Sequence, residues 1–242
     1  MLNSKCFISI IILVHNAPRY VDITLKSLKK TKGVAHEIII VDNKSDSRTQ
    51  RLLLKHLKAG NINKLLMLDE NTLFAKGNNI GFKICSKDAT HVLLLNSDVE
   101  IRHQDWLSVL VKNHKRGATS YGLCANKPLR ADGYCFLIDK DLYGDYKLDE
   151  NFEWWWSVTK LQGQLLSENN NVLAIDNHDN YLYHFGGRSG KSFIGAKGNT
   201  TDFEEVNSWF KEKQADILDF QSKDHVSDFS RYKRKLLDMI IN

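Results

Sequence analysis

Four short runs in the first hundred residues are almost wholly apolar: FISIIILV (7–14), EIIIVD (37–42), KLLML (64–68) and HVLLL (91–95). A half-exposed strand alternates apolar with polar residues, whereas a strand covered on both faces does not. These runs therefore predict buried strands of a parallel sheet. Between them the apolar residues take helical spacing. Val21, Leu25 and Leu28 form one stripe after Pro18, a residue favoured near a helix start. Leu53, Leu54 and Leu57 form a second stripe, and Ala75, Ile80 and Ile84 part of a third. The alternation predicts repeated βαβ units. The expected fold is α/β: a Rossmann-like, mostly parallel sheet flanked by helices, with right-handed crossovers.

Polar residues gather where the predicted strands end. Val14 runs into His15-Asn16, Val41 into Asp42-Asn43, and Leu95 into Asn96-Ser97-Asp98. Ligands of open α/β sheets bind outside the carboxyl ends of the strands, so three polar ends predict one crevice. The second half is less regular. It offers strand signals at 119–126, 133–138, 171–176 and 180–185, and an aromatic helix near 152–166. The segment 187–200, rich in Gly, Ser and Lys, reads as a mobile loop. From 202 to 241 the chain is charged and reads as helical. Within it, Phe229, Tyr232, Leu236 and Ile240 would form an apolar stripe that suits a helix packed on the domain or a second subunit, or lying on a membrane surface.

Composition narrows the class. With 242 residues and 42% hydrophobic content, the chain can bury one sizeable core. Two prolines and 14 glycines argue against a linker-rich chain. Cys6, Cys85, Cys124 and Cys135 form no CxxC pair, which fits a reducing compartment and a cytoplasmic protein, with room for contact at the inner face of the membrane. The longest apolar run falls well short of the roughly 20 residues that span a bilayer. The net charge of +5 comes from scattered Lys and Arg. That suits a polyanionic small ligand better than nucleic acid, which calls for a basic stripe.

Six segments in order carry a resemblance: ISIIILVHNAPRYVDITLKSL (8–28), EIIIVDNKSD (37–46), NTLFAKGNNIGF (71–82), VLLLNSDVE (92–100), GYCFLIDKDLYGDYKLDENF (133–152) and HFGGRS (184–189). Together they resemble the family 2 inverting glycosyltransferases of the GT-A fold, and among these the rhamnosyltransferase-like members that build cell-surface polysaccharide. The resemblance implies a GT-A domain over 1–213, with a nucleotide-binding half (1–100) and an acceptor half (101–213). Residues 214–242 are then expected as a C-terminal helical extension. It implies transfer of a sugar from a UDP- or dTDP-sugar to a glycan or lipid-linked acceptor, aided by Mn²⁺ or Mg²⁺.

The same resemblance assigns expected roles. Asp98 takes the place of the last acid of a DxD-type metal motif, here reduced to Asn96-Ser97-Asp98. One carboxylate with substrate phosphates and waters can hold Mg²⁺, and an added imidazole suits Mn²⁺. His184, in the late HxxGxS motif, is the expected further metal ligand or diphosphate contact. Arg188, Ser189 and Lys191 beside it are the cations and hydroxyl of a loop that could close over diphosphate. His15, Asn16 and Asp42 are expected at the base and ribose, where a carboxylate can accept the imide N–H of uracil or thymine. Lys76, Asn79 and Ser97 complete the donor contacts, since helix N-termini attract anions. Gly133 and Trp155 are expected on the acceptor side.

The general base is where the chain departs from the pattern. Inverting transfer needs a base for the acceptor proton. The family position falls at Val158, eight residues beyond Glu150, and valine accepts no proton. Three readings stay open. A nearby acid serves, with Glu153 the first candidate and Asp149 and Glu150 behind it. Or the chain is a catalytically impaired homologue that binds nucleotide without efficient transfer. Or the register is shifted. A nucleotidyltransferase of similar build is disfavoured, because LVHNAPRYVD (13–22) holds no glycine- and arginine-rich phosphate loop.

Overall fold

The computed structural model describes residues 6–188, 196–198 and 200–220. The first half runs β1 (Phe7–Val14), α1 (Pro18–Leu28), β2 (Ala35–Asp42), α2 (Ser47–Lys58), β3 (Lys64–Met67), α3 (Leu73–Phe82), β4 (His91–Leu95) and β5 (Val99–Ile101). The second half adds α4 (Trp106–Asn113), β6 (Gly117–Tyr121), β7 (Leu123–Cys124), β8 (Arg130–Ala131), β9 (Cys135–Asp139), α5 (Lys140–Tyr146) and α6 (Trp156–Ser167). It closes with β10 (Asn171–Asp176), β11 (Leu182–His184), α7 (Phe203–Phe210) and β12 (Asp216–Asp219).

Eight strands form the central sheet in the order β12-β10-β6-β9-β4-β1-β2-β3. The pairs are parallel except at β9, which runs antiparallel to β4 and β6. Alternation along β1 divides the core. Ile8, Ile10, Ile12 and Val14 join a cluster with Val21 and Leu25 of α1, Leu53 of α2 and Trp106 of α4. Ile11 joins the opposite cluster, with Ala75 of α3, Tyr143 of α5, Leu161 of α6 and Phe210 of α7. Helices thus cover both faces, which is why β1, β2 and β4 read as apolar throughout. Each fully buried Ile or Leu contributes about 1.5–3 kcal/mol of transfer free energy.

Local chemistry starts the helices where they start. Asp46 caps α2 by accepting the Thr49 N–H at 2.7 Å, and Asp202 caps α7 through the Glu205 N–H at 2.8 Å. Pro18 opens α1. The α3 glycines set a distance: a Cβ on Gly77 would stand 2.5 Å from Leu13 Cδ1, and one on Gly81 2.7 Å from Ile11 Cγ2. Glycine at these two positions, four apart on one helix face, lets α3 lie close to β1 without displacing either side chain.

Two expectations are corrected. Residues 216–219, expected within a helical extension, form β12 and pair in parallel with β10. The unpaired edge of β10 offers backbone partners that outweigh local helical preference. The aromatic helix begins at Trp156 rather than 152. The expected amphipathic helix at 228–240, and Ser189 and Lys191 of the glycine-rich loop, lie outside the described residues. Among the described residues no helix is long and apolar enough to cross a membrane.

Candidate active site

β1, β2 and β4 are parallel neighbours, so their carboxyl ends open on one edge of the sheet. His15, Asn43 and the Asn96-Ser97-Asp98 triplet line a cavity of about 430 Å³ there. Its facing wall comes from the second half: Asp132, Gly133 and Tyr134 ahead of β9, and Trp154, Trp155, Trp156 and Val158 around the start of α6. The volume lies in the range of pockets that enclose small molecules, about 300–1,000 Å³.

A small antiparallel ladder brings Asp98 and His184 together. β5 pairs with β11 so that His184 stands opposite Val99. The Phe185 N–H then donates to the Asp98 carbonyl at 3.0 Å. His184 Nε2 lies 3.2 Å from Asp98 Oδ1, and the Arg188 N–H lies 3.4 Å from Oδ2. Tyr134 stacks on the His184 ring, with centroids 4.3 Å apart and planes 17° apart. This stacking fixes the ring, and Asp98 is only 6% exposed.

The pair fits an octahedral divalent ion. Bonds of about 2.1 Å place neighbouring ligand atoms about 3 Å apart, close to the observed separation. The donor chemistry agrees. Asn96 Nδ2 also lies 3.3 Å from His184 Nε2. With the amide so oriented, one ring nitrogen would have to accept from Asn96 while donating to Asp98, which a single nitrogen cannot do. A cation between Asp98 and His184 would use the carboxylate and the ring lone pair together.

The donor-side residues divide between wall and scaffold. His15 donates Nδ1–H to the Asn43 carbonyl at 2.9 Å, which leaves Nε2 as acceptor for Asn16 Nδ2 at 3.2 Å. Ser97 lines the cavity, and its carbonyl accepts from Thr24 Oγ1 at 2.8 Å. Asn43, named with Asp42 at the strand end but given no expected role, is on the wall. Its side chain donates to Asn71 Oδ1 and accepts the Thr72 N–H, both at 2.7 Å, latching the loop before α3.

Asp42, expected at the nucleobase, is fully buried and off the wall. Its carboxylate accepts from the Ser45 N–H and from Gln50 Nε2, both at 3.2 Å, and builds the turn into α2. Asn16, also off the wall, has φ 58° and accepts the Asp46 N–H at 2.8 Å, so it holds the turn after β1. Lys76 points to Glu70 at 3.3 Å instead of into the cavity. The first α3 amides are already taken: the Phe74 and Ala75 N–H groups donate to the Glu153 carbonyl at 3.0 and 3.3 Å. Asn79 is a buried staple. Nδ2 donates to the Leu148 carbonyl (2.8 Å) and Glu150 Oε1 (3.0 Å), while Oδ1 accepts from the Tyr143 hydroxyl (3.0 Å) and the Leu148 N–H (3.1 Å). All its hydrogen-bonding capacity is spent within the protein.

The acids before α6 are likewise engaged. Glu153 Oε2 accepts the Lys197 N–H at 2.7 Å, Asp149 pairs with Lys160 at 2.6 Å, and Glu150 holds Asn79. None of the three lines the cavity, whose lining carboxylates among the described residues are Asp98 and Asp132. Gln162 on α6 grips Ala131 by both amide atoms, accepting its N–H at 2.9 Å and donating to its carbonyl at 3.0 Å. That grip sets the course of Asp132 and Gly133. Val158 packs against Gly133, where an added Cβ would begin 3.4 Å from its side chain. All three tryptophans reach the wall because Trp154 and Trp155 precede the helix, so the geometry of a helix face does not separate them. Trp155 is 46% exposed. Burial pushes the Cys124 thiol on this wall up to about 11, so it is protonated at neutral pH and no nucleophile.

Residues 9–164 match the family model described as glycosyl transferase family 2. No curated protein matches the sequence significantly. Among solved structures, the mannosyltransferase PcManGT from Pyrobaculum calidifontis, in complex with GDP-Man and Mn²⁺, superposes with a TM-score of 0.58 at 14% identity, over 68% of this chain and 53% of that one. S. aureus TarS 1–349 in complex with UDP gives 0.59 at 15% identity, over 84% and 69%. GalNAc-T7 with UDP, GalNAc and Mn²⁺ gives 0.59 at 13% identity, over 70% and 42%. The chain thus spans about half the length of the mannosyltransferase. At these identities the likeness is one of fold, and the fold is the GT-A type.

Proposed function

Because the chain belongs to glycosyl transferase family 2, we propose that it transfers a sugar, with inversion, from a UDP- or dTDP-sugar to a hydroxyl of a glycan or lipid-linked acceptor, in the assembly of cell-surface polysaccharide. The observation that carries this reading is the Asp98–His184 pair, 3.2 Å apart on the wall of a cavity at the strand ends. Asp98 and His184 would hold Mn²⁺ or Mg²⁺, and the bound ion would supply Lewis acidity to the departing diphosphate. Mn²⁺ in the PcManGT and GalNAc-T7 complexes supports the choice. His15, Asn43 and Ser97 form the donor side of the cavity. Gly133 and the exposed face of Trp155 form the acceptor side, where an aromatic surface can pack on a sugar ring.

Asp132 is the residue we assign to the acceptor proton. Glu153, the first candidate from sequence, is turned to Lys197, while Asp132 lies on the wall beside Gly133 and Val158. The family's acid position at Val158 therefore borders the same patch of wall, and the turn between β8 and β9 carries the carboxylate instead. Calorimetry of UDP and dTDP with Mn²⁺ tests the donor site. Asp98→Ala should abolish metal-dependent binding; an unchanged affinity would refute the assignment.

A further inference from the structure

The opposite end of the central sheet holds a second cluster of metal-ligating side chains. His91 opens β4, Asp139 closes β9, and the two stand directly opposite in the antiparallel register. His114 follows α4 and turns back onto them. β4 runs extended from His91 to Leu95, which lines the cavity, so the cluster lies about 13 Å along the strand from the cavity's edge. One donor atom from each of the three residues falls within 4.8 Å of the others. His114 Nε2 is 3.3 Å from Asp139 Oδ2, and His91 Nε2 is 3.8 Å from Oδ1. The two rings meet edge to face, with centroids 4.9 Å apart. Their side chains are 6% and 17% exposed, and that of Asp139 is 17% exposed.

The surroundings orient both rings. Thr90 Oγ1 donates its hydrogen to the Phe7 carbonyl at 3.1 Å, so it meets His91 Nδ1, 2.8 Å away, as an acceptor. With the hydroxyl hydrogen on that carbonyl, His91 Nδ1 carries the proton. In the neutral ring, Nε2 then turns a bare lone pair toward a carboxylate oxygen. Two electron-rich atoms facing each other repel, unless a cation lies between them. His114 repeats the arrangement: its Nδ1 contacts Thr119 Oγ1 at 3.0 Å and its Nε2 faces the same carboxylate. Asp139 Oδ2 is itself held by the Gly117 N–H at 2.7 Å. Metal-ligating histidines are oriented in this manner, with the remote ring nitrogen bonded and the near one presented. Arg116 also approaches Asp139 Oδ1, at 3.9 Å, but its short pair, at 2.7 Å, is with Asp141.

We propose that His91, His114 and Asp139 form a second divalent-metal site, of the zinc type, that ties β4, β9 and the end of α4 together at the end of the sheet remote from the cavity. Two imidazoles and a carboxylate supply three of the four positions of a tetrahedral ion, and the partly exposed side leaves the fourth to water. Tetrahedral bonds of about 2.0 Å set ligand atoms about 3.3 Å apart, so His91 need close only slightly. The site stands independently of the donor-site reading.

The test uses the full chain carrying Asp98→Ala, which removes the carboxylate of the other candidate metal site, after stripping with a chelator. Titration with Zn²⁺ by calorimetry, and with Co²⁺ followed by visible absorption, should give one equivalent and the intense bands of a tetrahedral cobalt ion. Adding His114→Gln or Asp139→Asn should abolish both, with circular dichroism reporting the fold. Thr119→Val keeps all three ligands and loses only the hydroxyl behind His114. It should weaken Zn²⁺ binding about 10–100-fold, and it decides the matter if the ligand variants do not fold. No Zn²⁺ bound by the Asp98→Ala chain, or binding undiminished by Asp139→Asn or Thr119→Val, overturns the proposal.

Discussion

Val158 and Asp132 both line the cavity on either side of Gly133, and on the proposed function the transfer would turn on which of the two positions carries an acid. Val158 is 2% exposed and packs on Gly133, so an aspartate there would be buried against the residue next to Asp132. General-base catalysis contributes about 10²–10⁴-fold. Asp132→Asn should lower kcat by that order with the donor KM little changed, measured by product release at saturating acceptor. Val158→Asp should leave turnover little altered. A chain that transfers nothing until Val158→Asp is introduced would instead be an impaired homologue that binds nucleotide. Side-chain roles were the least legible part of the sequence. The meeting of residues 98 and 184 could be anticipated only through motif resemblance, since no local pattern links them. Asp42 and Asn43 are adjacent at a strand end, where neighbouring side chains diverge; the pattern named the pair without telling which member faces the cavity. Asn79 and Glu150 both carry the polarity expected of ligand contacts, yet each satisfies the other.

Elements were more legible than side chains. β1, β2 and β4 lie where uniform apolar runs placed them, because burial on two faces leaves a strong mark in sequence. Strand direction leaves none, so the reversal at β9 was not visible. Nor was β12, whose residues are mostly exposed and gain their partner only from β10. The α3 helix carries the clearest consequence at this scale. Ile11 Cγ2 and Val41 Cγ2 would stand 2.7 and 3.0 Å from a Cβ on Gly81, and both are branched chains held in a packed sheet. Gly81→Ala gains about 1 kcal/mol in helix propensity against an overpacking cost of about 1–3 kcal/mol. Gly77→Ala meets the mobile Cδ atoms of Leu13, which can swing toward the cavity. Urea unfolding should therefore find Gly81→Ala the more destabilised of the two. The reverse order would mean that α3 does not rest on β1 and β2 as described.

Across the whole molecule, buried titratable groups set a response to acid. Glu37 is caught between opposing effects: burial raises its pKa, while Lys64, Ser9 and the Ser86 N–H lower it further, leaving it below the ordinary carboxylate value. Its contribution is complete above the unfolded value of about 4.3 and is lost as pH falls through the folded value. His178 is also depressed, chiefly by burial, beneath the Tyr134 ring that stacks on His184. Its neutral ring contributes stability above about 6.5 that is lost as pH falls below that value. Denaturant unfolding across pH 8 to 3 should thus show two declines, one beginning near 6.5 and one below about 4.3. His178→Gln should shrink the first, which His91, also depressed by burial, shares, and Glu37→Gln should shrink the second, which Asp22, Asp139 and Asp149 share. A first decline undiminished by His178→Gln would show that His178 does not contribute to it.

The ladder between β5 and β11 joins residues far apart in the chain: Asn96 and His184, in contact at the cavity, are separated by 88 positions. On a ribosome that distance becomes time. Chains emerge at about 5–20 residues per second, so β1, β2 and β4 are outside for several seconds before His184 follows. A nascent chain would carry the nucleotide-side half of its cavity well before it could hold a cation there. Charged nucleotides in the surrounding solution would meet a pocket competent to bind them tightly only once nearly the whole catalytic fold had been made.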